Sequence, residues 1–454
     1  MKTEYELLTA PYMDELMKNL KGFVAINSER DESTMDKDNP CGKGVSKALK
    51  FFEELAKKDG FEVTNYSNKI VEANIGKGDK NITIMAHADV VPAGSGWDQN
   101  PFEVVEKNGV LTGRGVADDK GPLLACYYGL KALKDNNMLG NYQVRFLVGG
   151  AEETTSEGMM HYFYELNKPQ PTLGFSPDSS WPLIFAEKGI FNFKVRDTFK
   201  IDKVYSIKGG VASNAVIERC KIEMDEDAEF EDYVNSQFKG EVEFSNNNGR
   251  RVVTFIGQAA HGSIPWVGKN AAMMAVYALG CFYKNEKLMS FFSKFMMTRG
   301  EGLNVNMHND EMFDNSLNLG IFKYENEELF AIFNFRFINS TTFEECKSII
   351  EENAKPFNVE FGGCSPLLYF PKDSVLVSTL LKAYIDETGE KDAQPLSTGG
   401  GTYAKEAQNV VAFGMEEAGW DSKMHSAGEQ VKVSSLEKAM AIYARAIVEL
   451  GKKL

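Results

Sequence analysis

The sequence predicts an α/β protein: a mostly parallel sheet with helices on both faces, interrupted by an inserted α+β lid domain. Three observations predict it. Over the first 189 residues, helical and strand-like patterns alternate, as in parallel sheets whose crossovers are helices. Three successive strand-like runs there end in metal-ligating side chains: His87 and Asp89, then Glu152 and Glu153, then Asp178. In open α/β sheets ligands sit beyond the carboxyl ends of the strands, so these residues belong to one edge. Between 190 and 370 the pattern changes to hairpin, helix and strand, which suits an antiparallel sheet. The alternation then returns. The expected organisation is a catalytic domain in two segments, 1–189 and 371–454, around an insertion over 190–370.

Residues 11–27 and 43–58 have amphipathic helical spacing; in the second, Val45, Leu49, Phe52 and Leu55 recur on one face. Phe61–Tyr66 and Lys69–Ile75 read as strands. The apolar run Ile82–Ala86 reads as a buried strand that delivers His87 and Asp89 at its end. A Pro/Gly-rich loop leads to GRGVADDKGP (113–122), two adjacent carboxylates between glycines ahead of a helix over Leu123–Asn136. Tyr142–Gly149 is the next strand and Leu173–Pro177 a short one. In the insertion, strands are expected at Glu241–Phe244, Arg251–Gln258, Asn318–Tyr324, Leu329–Ile338 and Val359–Phe361. Helices are expected at Ala228–Phe238, Ala271–Phe295 and Thr342–Ala354. Past 371 come a helix over Ser374–Glu387, a strand over Asn409–Phe413 and a final helix over Ser434–Leu450.

Composition narrows the function. A chain of 454 residues exceeds one ordinary core. A net charge of −15 argues against nucleic acid and anionic membrane partners. No apolar stretch is long enough to span a bilayer, and the first twenty residues lack the apolar core of a signal peptide. Six cysteines without a CxxC pair suit reduced thiols in a cytoplasm.

Each candidate residue has a plainer reading beside the functional one. Asp118 and Asp119 suit a helix N-terminus through the dipole, but a histidine and a carboxylate at the preceding strand end favour a metal site. Glu152 and Glu153, being adjacent, point different ways, so one can ligate while the other acts as a base; alone they also suit a solvated helix start. Asp178 suits a turn, and His425 and His261 suit exposed loops. Arg336, among phenylalanines, is either an edge residue with its stem packed down or a buried anion clamp. Gly399–Gly401 offer backbone N–H groups to an anion, or form a flexible loop. His161 and His308 have no companions and are read as structural.

Together the motifs HADVVPAGSGWDQNPF, GRGVADDKGP, the Glu pair, FSPDSSWP with EKG, the region of Asn214, AAHGSIPWVGKNA, FNFRF, GGGTYAK and MHSAGE resemble, in order and over nearly the whole chain, the peptidase V / Xaa-His dipeptidase branch of a di-metal family. That family includes carboxypeptidase G, acetylornithine deacetylase and succinyl-diaminopimelate desuccinylase. The resemblance implies two divalent ions, Zn²⁺ foremost, with Mn²⁺ or Co²⁺ as alternatives. One would be held by His87, Asp118 and Asp178, the other by Asp118, Glu153 and His425. Asp118 would bridge them, with Asp119 the rival for that place. Asp89 would orient His87. Glu152 would be the general base, in a setting altered by Ala151, where relatives often carry Asp. Two cations about 3.5–4 Å apart would acidify a water and polarise the substrate carbonyl. His261 would donate to the oxyanion. Arg336, Gly400 and Gly401 would grip the substrate carboxylate, with Asn214 a further substrate contact, and closure of the inserted domain would assemble the site. The resemblance implies a metallodipeptidase acting on small unblocked dipeptides; the cysteine usage suits a cytoplasmic protein, and the large insertion suggests a monomer. An N-acyl-amino-acid deacylase on the same site, or a catalytically silent binding protein, are the alternatives; the complete ligand set speaks against the last.

Overall fold

The computed structural model describes residues 2–454. The chain forms two compact units. The first runs to Ala186 and includes Leu368–Ser397 and Gly401–Leu454; the second comprises Glu187–Leu367 and Thr398–Gly400. Residues 398–400, expected with the second catalytic segment, thus belong with the inserted unit.

The sheet of the first unit has the spatial order Glu62–Tyr66, Ile70–Gly76, Gln143–Gly149, Asn81–His87, Leu173–Ser176, Val410–Ala412, Ile184–Glu187 and Leu368–Tyr369, with a ninth strand beside Ile184–Glu187. The four strands from Gln143–Gly149 to Val410–Ala412 run parallel. Glu62–Tyr66 pairs antiparallel with Ile70–Gly76, Ile70–Gly76 with Gln143–Gly149, and Val410–Ala412 with Ile184–Glu187. Asn81–His87 lies at the centre and is buried at every position, as a strand covered on both faces must be. His87 pairs with Gly149, so those two strand ends are level. The helix Lys43–Lys58 packs on Glu62–Tyr66, Ile70–Gly76 and Gln143–Gly149, while Lys120–Asp135 and Val433–Gly451 pack on each other and on Asn81–His87. A Cβ at Gly129 would lie 2.7 Å from the Met440 carbonyl oxygen, so glycine permits the close approach of those two helices.

The second unit is an eight-stranded antiparallel sheet in the order Val242–Asn247, Arg250–Ile256, Arg219–Met224, Val204–Gly209, Ser316–Glu325, Glu328–Phe337, Gly189–Thr198 and Asn358–Ser365. Its core is rich in stacked and edge-on phenylalanines, among them Phe193, Phe291, Phe295 and Phe333. The helix expected over 271–295 is two helices, Ala271–Phe282 and Glu286–Phe295. Lys284 takes a left-handed conformation (φ 50°) and Asn285 Oδ1 accepts the Leu288 N–H at 3.1 Å, capping the second helix.

Candidate active site

The parallel strands of the first unit bring their carboxyl ends to one edge, and the candidate ligands follow from there. His87 ends its strand fully buried. Its Nδ1 donates to the Asp89 backbone carbonyl oxygen at 3.0 Å, with Asp89 Oδ1 at 3.3 Å. That fixes the ring and turns Nε2 toward Asp118 Oδ1 at 3.0 Å and Asp178 Oδ2 at 3.7 Å. The Asp89 carboxylate also accepts the backbone N–H groups of Glu152 and Glu153, each at 3.2 Å. Asp89 therefore orients the imidazole through its backbone carbonyl and nearby carboxylate, and its carboxylate seats the Glu pair that follows the neighbouring strand.

Asp118 lies between two imidazoles. Its Oδ1 faces His87 and its Oδ2 faces His425 Nε2 at 2.8 Å. The adjacent Asp119 does not share that place: its Oδ2 accepts the His87 backbone N–H at 3.1 Å, and its Oδ1 is buried without a hydrogen-bond partner. His425 Nε2 also lies 3.4 Å from Glu153 Oε2. Among the described residues, two sets of donor atoms have all members within 4.8 Å of one another: His87, Asp118 and Glu153, and His87, Glu152 and Asp178. Glu152, read as a base, thus faces the same cluster as the ligands.

Two residues at this site carry no role in the sequence reading. Tyr403 is fully buried and sets its ring edge-on to His87, centroids 6.2 Å apart. A Cβ at Gly149 would lie 2.4 Å from the Tyr403 hydroxyl, so this strand end must be glycine. Glu429 is also fully buried and is bonded to the Asp118 loop. Nothing local in the sequence gives Tyr403 a role; for Glu429 the available signal is its place four residues after the loop histidine His425.

In the second unit His261 is exposed, and its Nδ1 accepts the Ser263 N–H at 3.3 Å, with Ser263 Oγ at 2.6 Å. That leaves the ring proton on Nε2. Asn214 is exposed beside this loop, its carbonyl oxygen accepting the Gly262 N–H at 2.7 Å. Arg336 is buried, and donates from Nε to Asn334 Oδ1 at 2.9 Å and from Nη1 to the Gly399 carbonyl oxygen. Both acceptors are neutral, and burial pulls its pKa down to about 10. The Gly400 N–H donates to Thr398 Oγ1 at 3.1 Å, which partly engages one of the donors expected for an anion. Gly401 belongs to the first unit.

The profile of peptidase family M20/M25/M40 matches residues 83–449. The chain belongs to this family. It is 32% identical over 472 residues to a Beta-Ala-Xaa dipeptidase of Lactobacillus delbrueckii subsp. lactis, covering 100% of this chain and 99% of that protein. Among solved structures, the yeast (Saccharomyces cerevisiae) dipeptidase Dug1p superposes with a TM-score of 0.60 at 16% identity, over 99% of this chain and 98% of that one. The M20 family metallo-carboxypeptidase Sso-CP2 of Sulfolobus solfataricus superposes with a TM-score of 0.59 at 17% identity, over 97% and 100%.

Membership of this M20 family implies divalent metal ions, and the residues present fit them. Asp118 and Glu153 form their ion pairs with histidines. The nearby buried cations use their donors elsewhere: Lys120 Nζ on the Phe23 and Ile26 carbonyl oxygens at 3.1 and 2.9 Å, Arg114 on Glu429. Glu153 Oε1 is buried with no hydrogen-bond partner. Buried carboxylates in this number need cations. Their titration carries the same strain. Burial, then Asp178 and Glu153, push Glu152 well above its usual range. Burial and Asp118 raise Glu153. Burial would lower His87, but its bonds to Asp118 and Asp89 lift it well above the ordinary imidazole value.

Proposed function

We propose that this M20 chain is a cytoplasmic dipeptidase hydrolysing small unblocked dipeptides with two divalent ions. The observation that carries the reading is the cluster beyond the parallel strands: buried His87 and Asp118 with half-buried Glu152, Glu153 and Asp178. Full-length likeness to a Beta-Ala-Xaa dipeptidase supports dipeptides as substrates. His87, Asp118 and Asp178 would hold one ion, and Asp118, Glu153 and His425 the other. Carboxylates with imidazole suit Zn²⁺, and also Mn²⁺ or Co²⁺. When bound, the ions supply an acidified water and a polarised substrate carbonyl.

The protein's own groups do the rest. Glu152 takes the proton of the attacking water and delivers it to the leaving amine; a carboxyl raised by burial and by neighbouring carboxylates holds a proton long enough for that transfer. His261 Nε2 donates to the oxyanion. Arg336, whose own acceptors are neutral, takes the terminal carboxylate of the substrate, with Asn214, Gly400 and Gly401 as further contacts. We take the protein to act as a monomer.

The test is hydrolysis by chelator-stripped protein supplied with Zn²⁺, Mn²⁺ or Co²⁺. The panel holds free dipeptides, a dipeptide amide, tripeptides and N-acetyl amino acids. The expected result is metal-restored cleavage of free dipeptides, a raised KM for the amide, and turnover lowered about 10²–10⁴-fold by Glu152→Gln with metal binding retained. Preferential cleavage of N-acetyl amino acids would overturn the dipeptidase assignment.

A further inference from the structure

Glu429 lies four residues beyond His425, and its side chain is fully buried. Its Oε1 accepts three backbone N–H groups of the loop that carries Asp118: Gly115 at 3.0 Å, Ala117 at 2.9 Å and Asp118 itself at 3.2 Å. Its Oε2 accepts from Arg114 Nη1 at 2.6 Å. Its backbone carbonyl oxygen accepts the Gly113 N–H at 3.0 Å. Arg114, 1% exposed, reaches on to the Pro92 carbonyl oxygen at 3.4 Å and packs over the Trp97 ring at 5.4 Å.

These contacts join three segments that bear candidate ligands. Pro92 and Trp97 are in the loop leaving His87 and Asp89; residues 113–118 carry Asp118; Glu429 belongs to the loop of His425. A glutamate taken out of water needs its lone pairs satisfied, and here the satisfying donors are the backbone of the Asp118 loop. Gly115 has φ 90°, a conformation glycine adopts freely, which lets its N–H join those of 117 and 118 on one oxygen.

We propose that Glu429, paired with Arg114, is a positioning residue: it holds the 113–118 loop so that the Asp118 carboxylate stands between His87 and His425 before any ion binds. The inference rests on the reading of Asp118 as a shared metal ligand. It assigns Glu429 no contact with substrate or ion. Its role is to remove the cost of ordering the loop from the cost of binding metal, as residues behind metal ligands do.

Two measurements on the full chain test it. The first is hydrogen–deuterium exchange of the peptide spanning 113–119, with metal and after chelator stripping. Since Glu429 and not the ion holds these amides, their protection should survive stripping; a loop that opens on stripping and closes only on reloading would overturn the proposal. The second is Zn²⁺ affinity by competition with a chromophoric chelator, together with the visible spectrum of the Co²⁺ form. Glu429→Gln, which keeps the shape but not the charge facing Arg114, should bind about 10–100-fold more weakly, with an altered Co²⁺ spectrum and an unchanged far-ultraviolet circular dichroism spectrum. Native affinity and an unchanged spectrum in that variant would overturn the proposal. A Gln variant that does not fold leaves the decision to the exchange measurement. If the unsubstituted protein binds no ions at all, the metal-site reading falls and this inference falls with it; if it binds them and Glu429→Gln binds equally, only the inference falls.

Discussion

His87 and His425 approach opposite oxygens of one carboxylate, Asp118. Without metal, such a cluster balances its charge with protons. Bonds to Asp118, then to Glu153, push His425 from the ordinary 6.5 up to about 11, although the side chain is 56% exposed and solvent screens part of the effect. His87 is raised against the opposing pull of burial. The sign follows. A raised histidine contributes stability to the metal-free fold that is fully present below about 6.5 and lost as pH rises toward its folded value. An ion needs neutral imidazole, so it must displace those protons. Apparent affinity should therefore rise with pH between 6.5 and 8.5 by about tenfold per unit for each proton displaced. Calorimetric titration in buffers of different ionisation enthalpy reads the proton release. An enthalpy independent of buffer, with affinity flat over that range, would contradict it. Why Asp118 rather than Asp119 occupies this place was not legible: two identical side chains in sequence differ only in where the loop aims them.

At the scale of elements, the sequence is most readable where a buried run ends in polar chemistry. Asn81–His87, Gln143–Gly149 and Leu173–Ser176 stand out because their apolar residues stop at glycine, histidine or serine just before the candidate ligands. Glu429 was hard to read for the opposite reason: three of its four side-chain partners are backbone N–H groups, which have no residue identity, and the fourth, Arg114, is 315 residues away in sequence. The strand Gly189–Thr198 is absent from the sequence reading although Phe191, Phe193 and Val195 alternate on its buried face. The single helix expected over 271–295 shows how a weak local signal decides geometry. The apolar spacing continues through the break, and the turn is set by Lys284 in the left-handed region and the Asn285 cap. Asn285→Ala should cost about 1 kcal/mol, seen as a melting temperature about 2–4 °C lower for a unit of this size. No change would mean that packing of Leu288, Phe291 and Phe295 alone fixes the second helix.

At the scale of the molecule, the candidate ligands are distributed unevenly. His87, Asp118, Glu153, Asp178 and His425 all belong to the first unit, whereas the second contains His261 and Arg336 but none of the candidate ligands. Each unit has a core of its own: the first around its buried central strand, the second around its phenylalanines. An ion that binds only the folded first unit stabilises only that unit, by about 4 kcal/mol at a thousandfold excess over Kd. Scanning calorimetry of the full chain should then show a transition that moves up when Zn²⁺ is added to stripped protein and down on chelation, beside one that stays in place. Truncating His425 to Ala removes a ligand of the first unit alone, so it should shrink the metal-dependent shift and leave the other transition unmoved. If both transitions move together with metal, the two cores unfold as one cooperative body, and the ordering of the 113–118 loop is felt throughout the chain; if neither moves, the carboxylate cluster balances its charge with protons alone.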